Sequence, residues 1–384
     1  MSGLSEPHSD PTVDRWACPK SSRGVRPAGS FREPVPGRFG RKPAGRPLPK
    51  PTLRAVAGPL LAILLFALAV NLLVEEAREV TWEAFVAGWR GIPTLYLLIA
   101  GCLVALNYGL FVAYDLLGLR YICRSLPLRR VVLVSFLGYS LGNNLGTILA
   151  ATPIRFRYYG QWGIPARQII ALVSVMGLTF WSGVWFLGGV VLILVPVELP
   201  AELPLPLGSR ALGVALAVLW VAYATVCIVW RRPWPIGALH LRPPRPGLMT
   251  LQTTVAALDL LLSAITLYLV LPAQALVPFQ LVLAAYLIGI AVSMITQVPG
   301  GLGVLEVILL KLLKGSVGES VLASVLVFRL LFYVIPLLCG MVTMVAHEIY
   351  GGAVEARRVR RWIEVEAARD REGRPRVKRL RPPP

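Results

Sequence analysis

Residues 299–306 read PGGLGVLE, so a proline with Gly300, Gly301 and Gly303 interrupts an apolar run and Glu306 follows three residues after the last glycine. Glycines carry no side chain and leave backbone N–H groups open where the next helix starts, which suits a phosphate oxygen. Glu306, in the first turns of that helix, can complement its macrodipole, take a proton or a cationic group, or pair with Arg329. The other ionisable groups inside apolar runs are Asp115, Asp259, Lys311, Lys314 and Arg329. Each costs about 2.5–3.5 kcal/mol near the centre of a membrane helix, so such residues face a cavity or a partner. Asp115 and Lys314 lie near the ends of their runs, where a solvated interfacial position serves equally well. Asp259 and Arg329 fall roughly 12–14 Å deep at 1.5 Å per residue, and both need partners.

A second interrupted stretch reads SLGNNLGT, with Asn143 and Asn144 at its middle, and is followed by TPIRFRYYGQWG, which places Arg155 and Arg157 beside tyrosines. Basic and aromatic residues anchor helices at an interface. They are also what holds an anionic lipid head at the mouth of a groove. Both readings stay open on the sequence.

The elements carrying these residues follow from composition. The chain has 384 residues, 56% of them hydrophobic and 15% charged, and a mean hydropathy of +0.66. That is a membrane protein. The net charge of +19 is concentrated in two tails, 1–54 and 348–384, which hold more than half of the Lys and Arg. Tails of that composition cannot bury enough apolar surface to offset chain entropy and read as disordered. Because they flank membrane segments, their charge fits the positive-inside bias and anionic headgroups better than nucleic acid. The first apolar run begins near Ala55 behind a long polar leader, so it reads as a retained helix and not a cleaved signal peptide.

The five cysteines are scattered without CxxC spacing, which predicts neither a disulfide framework nor a zinc site. His347-Glu348 opens an HExxH pattern that Gly351 breaks, and no GxxxxGK[ST] loop is present. No cofactor, metal site or ATPase is expected.

Runs of about 20 apolar residues fall at roughly 55–74, 92–118, 168–196, 210–230, 251–271, 279–298 and 320–347, with shorter or broken runs at 131–152 and 301–314. The connections 119–130 and 231–250 are basic, whereas 75–91 and 197–209 are acidic. The basic set is therefore expected to be cytoplasmic, with both termini inside. Since 119–130 and 153–167 are both basic, the run between them is expected to enter the membrane and return, reversing at Gly142-Asn143-Asn144. The 301–314 segment reaches only about 21 Å and is expected to be tilted or re-entrant. Two broken elements, one in each half, are the pattern that points to a midplane site in transporters. The fold class is all-α: a polytopic integral membrane bundle of about eight transmembrane helices with two broken elements over 55–347.

VPGGLGVLE, VFRLLFYVIPLLCG, ALDLLLSAITLYLVLP, LGNNLG followed by IRFRYYGQWG, and YDLLGLRY together resemble the transmembrane region of lysylphosphatidylglycerol synthetases, the multiple peptide resistance factor family. The resemblance covers about residues 55–347 in family order. It implies a bacterial inner-membrane domain that moves phospholipid between leaflets, with roles for Asp115, for Arg155 or Arg157, and for Glu306. The family's aminoacyltransferase domain has no counterpart in this sequence, which puts lysyl-phosphatidylglycerol itself in doubt as the substrate. The expectation is a translocase for phospholipid or another anionic lipid. Its candidate binding residues are Arg155, Arg157, Gly300, Gly301, Gly303, Glu306, Asp115, Asp259, Arg329, Asn143 and Asn144. The rival classes are an intramembrane lipid-modifying transferase, whose product would change lipid mass, and a membrane scaffold working through its basic tails.

Overall fold

Proline and glycine punctuate the apolar runs. The computed structural model describes residues 86, 89–195, 208–230, 232, 234–236, 239–271, 277–296, 301, 303–317 and 320–349. The N-terminal tail, the run 55–74, most of the 75–91 connection, Gly300 and the tail beyond 349 lie outside the described residues. Helix α1 (Thr94–Tyr121) follows Pro93, α2 (Leu128–Leu145) follows Pro127 and α4 (Ala166–Leu194) follows Pro165. A proline there presets φ, and its missing N–H is no loss where no intrahelical bond would form. Between α2 and α4 lie a π turn (Thr147–Ala151) and α3 (Thr152–Gln161). The chain continues through α5 (Ser209–Val229), strands β1 (Trp234–Ile236) and β2 (Leu239–Leu241), α6 (Pro246–Val270), α7 (Phe279–Thr296), α8 (Val304–Val317) and α9 (Ser320–Arg329). A second π turn (Leu330–Val334) carries α9 on as one long helix to residue 349.

Among the described residues six helices are long and apolar enough to cross a membrane: α1, α4, α5, α6, α7 and the span Ala323–Ile349. The fold is an all-α polytopic membrane bundle. One small exception is the antiparallel pairing of β1 with β2, in register Trp234↔Leu241. Polar side chains join the crossings, as expected where lipid removes the hydrophobic drive between helices. Gln252 on α6 donates to Thr179 on α4 (2.8 Å) and accepts from Tyr223 on α5 (3.2 Å). Among the described residues Cys102, Cys227 and Cys339 are free thiols.

Both interrupted regions are tight helical hairpins. A Cβ added at Gly142 would stand 2.7 Å from the Ala151 Cβ, and one at Gly138 would stand 3.0 Å from Arg155 Nη1. These oppositions converge on Gly146, whose φ of +91° makes it the reversal point. The expected reversal at Gly142-Asn143-Asn144 is therefore corrected by about one turn. Those residues stay helical, Asn144 Nδ2 bonding Ser140 O at 2.8 Å, and only Gly146 adopts the left-handed backbone that glycine tolerates. In the second region a Cβ at Gly289 would stand 2.6 Å from Leu305 Cδ1, and one at Gly301 would stand 2.9 Å from Ser293 Oγ. These pairs bring α7 and α8 together, and Gly301 at φ +60° and Gly303 at φ +76° precede α8.

If α2–α3 re-enters and α4, α5 and α6 each cross, parity would set the two hairpins on opposite faces. Hairpin α2–α3 hangs from the face holding 122–127 and 162–165. Three crossings at α4, α5 and α6 would start α7 from the other face, with α8 returning there before the last span descends. The descent ends where it should: Arg157 Nη2, on α3, meets Glu348 Oε1 at 2.6 Å.

Candidate functional site

The return arm of the first hairpin carries Arg155, and its sequence neighbours decide where it goes. Proline at the start of α3 fixes the entry, and Gly138 leaves room for the guanidinium on the facing helix. Arg155 Nε and Nη2 then grip Asp115 of α1 from two directions, at 3.0 Å to Oδ1 and 2.8 Å to Oδ2. Tyr159 donates a further bond to Asp115 Oδ1 at 2.8 Å, and Arg155 Nη1 reaches Ala151 O at 3.2 Å. The guanidinium also stands over the Tyr139 ring, 5.0 Å from its centroid, a cation–π contact. Asp115 and Arg155 are both buried. The interfacial, solvated positions open to Asp115 and Arg155 on the sequence are thus replaced by one desolvated, charge-balanced pair.

Glu306 and Arg329 form a second ion pair, between α8 and α9. Arg329 Nη2 also binds Gly301 O at 3.1 Å, and its guanidinium stands over Tyr333 at 5.6 Å. A carbonyl freed where the chain leaves the helical ladder is thereby satisfied. Asn144 and Tyr108 do the same for the loosened π turn of the last crossing, Asn144 Nδ2 reaching Tyr333 O at 3.3 Å and Tyr108 Oη reaching Phe332 O at 3.4 Å.

Asp259 is arranged differently. Its Oδ2 accepts a hydrogen bond from Tyr114 Oη at 2.8 Å, and its backbone carbonyl accepts from Asn107 Nδ2 at 3.2 Å. Asn107 Nδ2 also reaches Ser263 Oγ at 2.7 Å. No Arg, Lys or His pairs with Asp259 among the described residues.

The tip of the first hairpin and residues flanking the second break line one cavity of about 320 Å³. From the first come Gly142, Asn143, Gly146, Thr147 and Arg155, and from the second Ser293, Gly301 and Leu305. Asp259 and Ser263 of α6 face it, with Tyr114, Tyr139, Phe180 and Tyr286 among the aromatic walls. The cavity thus gathers Arg155, Asn143, Asp259 and Gly301 from the sequence-derived candidates. Glu306, Arg329, Asp115 and Asn144 stand behind the wall as partners, and Gly303 and Arg157 lie off it. Arg157 belongs to a separate cluster in which it pairs with Glu348 and stands over Tyr158, 5.4 Å from the ring centroid. Gly300 falls outside the described residues.

Sequence reasoning passed over Gly138, Asn107, Ser293 and the tyrosines 114 and 139. The glycines had a readable signal: Gly138, Gly142 and Gly146 recur every fourth residue, the spacing that lets two helices approach closely. Ser293 Oγ is buried at the cavity wall without a hydrogen-bond partner, and so is Asn107 Oδ1 behind it.

No family model matches the chain. It is 30% identical over 301 residues to "Uncharacterized protein slr0712" of Synechocystis sp. (strain ATCC 27184 / PCC 6803 / Kazusa), an alignment covering 77% of this chain and 93% of that protein. The chain belongs to the family of that protein. It is also 29% identical over 291 residues to "Inner membrane protein YbhN" of Escherichia coli (strain K12), covering 75% of this chain and 91% of that one. With its membrane-length helices, this kinship makes it a multi-pass inner membrane protein.

Proposed function

We propose that the protein translocates phospholipid headgroups between the leaflets of the inner membrane, as a transporter and not an enzyme. The observation that carries the reading is that residues of both interrupted regions line one cavity that sets Arg155, Asn143, Asp259 and Ser293 among mostly apolar walls. Broken helices at membrane depth are tolerated only where protein or a polar cavity covers their backbone, and in transporters such elements line the substrate path. Arg155 spends three N–H groups on Asp115 and Ala151; a guanidinium has five, so two remain for a phosphate oxygen. Asn143, Ser293 Oγ and Gly301 add polar groups around the same space. Ile148, on the cavity wall at the first hairpin tip, is 71% exposed, so the rim reaches the apolar outer surface where acyl chains would stay. The resemblance to the lysylphosphatidylglycerol synthetase transmembrane region supports the same class of cargo. The basic face is read as cytoplasmic on its charge.

The test is reconstitution of the full chain into phosphatidylglycerol vesicles bearing a trace of fluorescent head-labelled phosphatidylglycerol, with an impermeant reductant added outside. Wild-type vesicles are expected to lose the inner-leaflet signal that protein-free vesicles keep. Thr147→Trp is expected to slow that loss severalfold, because Thr147 is an exposed residue at the cavity rim where added bulk obstructs without disturbing the core. Vesicles that protect the inner leaflet as well with protein as without it overturn the proposal.

A further inference from the structure

Among the described residues the carboxylates Asp115, Asp259 and Glu306 lie within or beside the apolar helices, and two of these three are matched by arginine. Asp115 holds Arg155, and Glu306 holds Arg329. Asp259 is 6% exposed, lines the cavity, and among the described residues has no cation. A lone charge there has no counter-ion among the described residues to offset its desolvation. The groups facing it do not supply one. Tyr114 of α1 donates a neutral hydrogen bond, Tyr139 of α2, Tyr286 of α7 and Tyr333 of the last crossing are phenols on the same cavity, and α4 contributes Phe180 and Trp181. Arg155 faces the cavity too, but its charge is balanced by Asp115. Counting the cavity and its supports together, one negative charge remains.

The walls decide what can neutralise it. A divalent cation takes six or more oxygen ligands, whereas Asp259 is the one carboxylate on the cavity wall and among the described residues no cluster of three metal-ligating side chains occurs. A proton needs only the carboxylate and the hydrogen bond that Tyr114 already offers. We propose that Asp259 is a proton-binding site, and that its loading and unloading couple headgroup passage to the transmembrane proton gradient. The proton arrives from water entering the cavity, resides on the Asp259 carboxyl group, and returns to water on either face; no other bond is made or broken. The coupling half of this proposal rests on the translocase reading. The protonation half does not.

Infrared difference spectra of the full-length protein in phosphatidylglycerol vesicles, taken between acid and alkaline pH, read the site directly. A carbonyl band of a protonated carboxyl group is expected in the wild type. It should vanish in Asp259→Asn, which is isosteric and keeps an acceptor for Tyr114, and move to a different frequency in Asp259→Glu. Identical wild-type and Asp259→Asn spectra overturn the site. In the same vesicles with fluorescent head-labelled lipid, an imposed pH gradient should accelerate wild-type lipid movement severalfold, and in Asp259→Asn the ratio of rates with and without the gradient should fall to unity. Lipid movement in the wild type that ignores the gradient overturns the coupling. An Asp259-dependent band with no lipid movement under any condition keeps the proton site and removes the translocase reading.

Discussion

At the scale of single residues, the Asp115–Arg155 pair holds the first hairpin to α1. Its carboxylate accepts three hydrogen bonds and both partners are buried. Removing one member of such a pair strands the other charge and costs about 3–5 kcal/mol, whereas removing both can be nearly neutral. Asp115→Asn is therefore expected to lower stability by about 3 kcal/mol in detergent, measured by thermal unfolding, and Asp115→Asn with Arg155→Met should recover much of it. A double variant no more stable than the single one would mean that the guanidinium holds the site by its contacts with Ala151 and Tyr139 alone. The individual charges were legible in the sequence because ionisable residues are rare in apolar runs. Their partners were not, since Asp115 and Arg155 lie 40 residues apart and nothing in either run marks the other. Tyr114 and Tyr139 escaped for another reason: a tyrosine within an apolar run carries no charge to mark it, and only the fold shows the Tyr114 hydroxyl on a carboxylate and the Tyr139 ring under a guanidinium.

At the scale of elements, the hairpins depend on glycine only where two backbones meet. Gly142 has no room for a side chain against Ala151, whereas Gly109 on α1 has no atom within 4 Å of where its Cβ would stand. Gly142→Val is expected to destabilise by about 1–3 kcal/mol through overpacking. Gly109→Ala should stabilise by about 0.5–1 kcal/mol through the ordinary helical preference. Melting temperatures of the two variants in the same detergent check the contrast, and equal shifts would mean that the hairpin yields at Gly142. The breaks themselves were visible, because glycine, proline and asparagine stand out in a long apolar run. The reversal point was not, since asparagine serves a turn and a helix alike. What keeps Asn143 and Asn144 helical is tertiary: Asn144 spends its amide on the preceding turn and on the π turn of the last crossing.

At the scale of the whole molecule, charge alternation alone suggested that 131–152 returns to its starting face, and the close approaches of Gly138 to Arg155 and Gly142 to Ala151 supply the geometry that charge could not. An ordinary crossing would put Ser125 and Gln161 on opposite sides of the membrane. A re-entrant hairpin puts both on one side and leaves Gly208, beyond the α4 crossing, on the other. All three positions are exposed, so each can be read as a single cysteine in a chain whose native cysteines have been replaced. A membrane-impermeant maleimide applied to intact cells is expected to label Gly208→Cys alone, and to label Ser125→Cys and Gln161→Cys only after the membrane is opened, because the basic connections favour the cytoplasm. If Ser125→Cys and Gln161→Cys react from different sides, α2 and α3 together form a crossing. The second hairpin then no longer enters from the face opposite the first, and a cavity reached from both leaflets loses its structural basis.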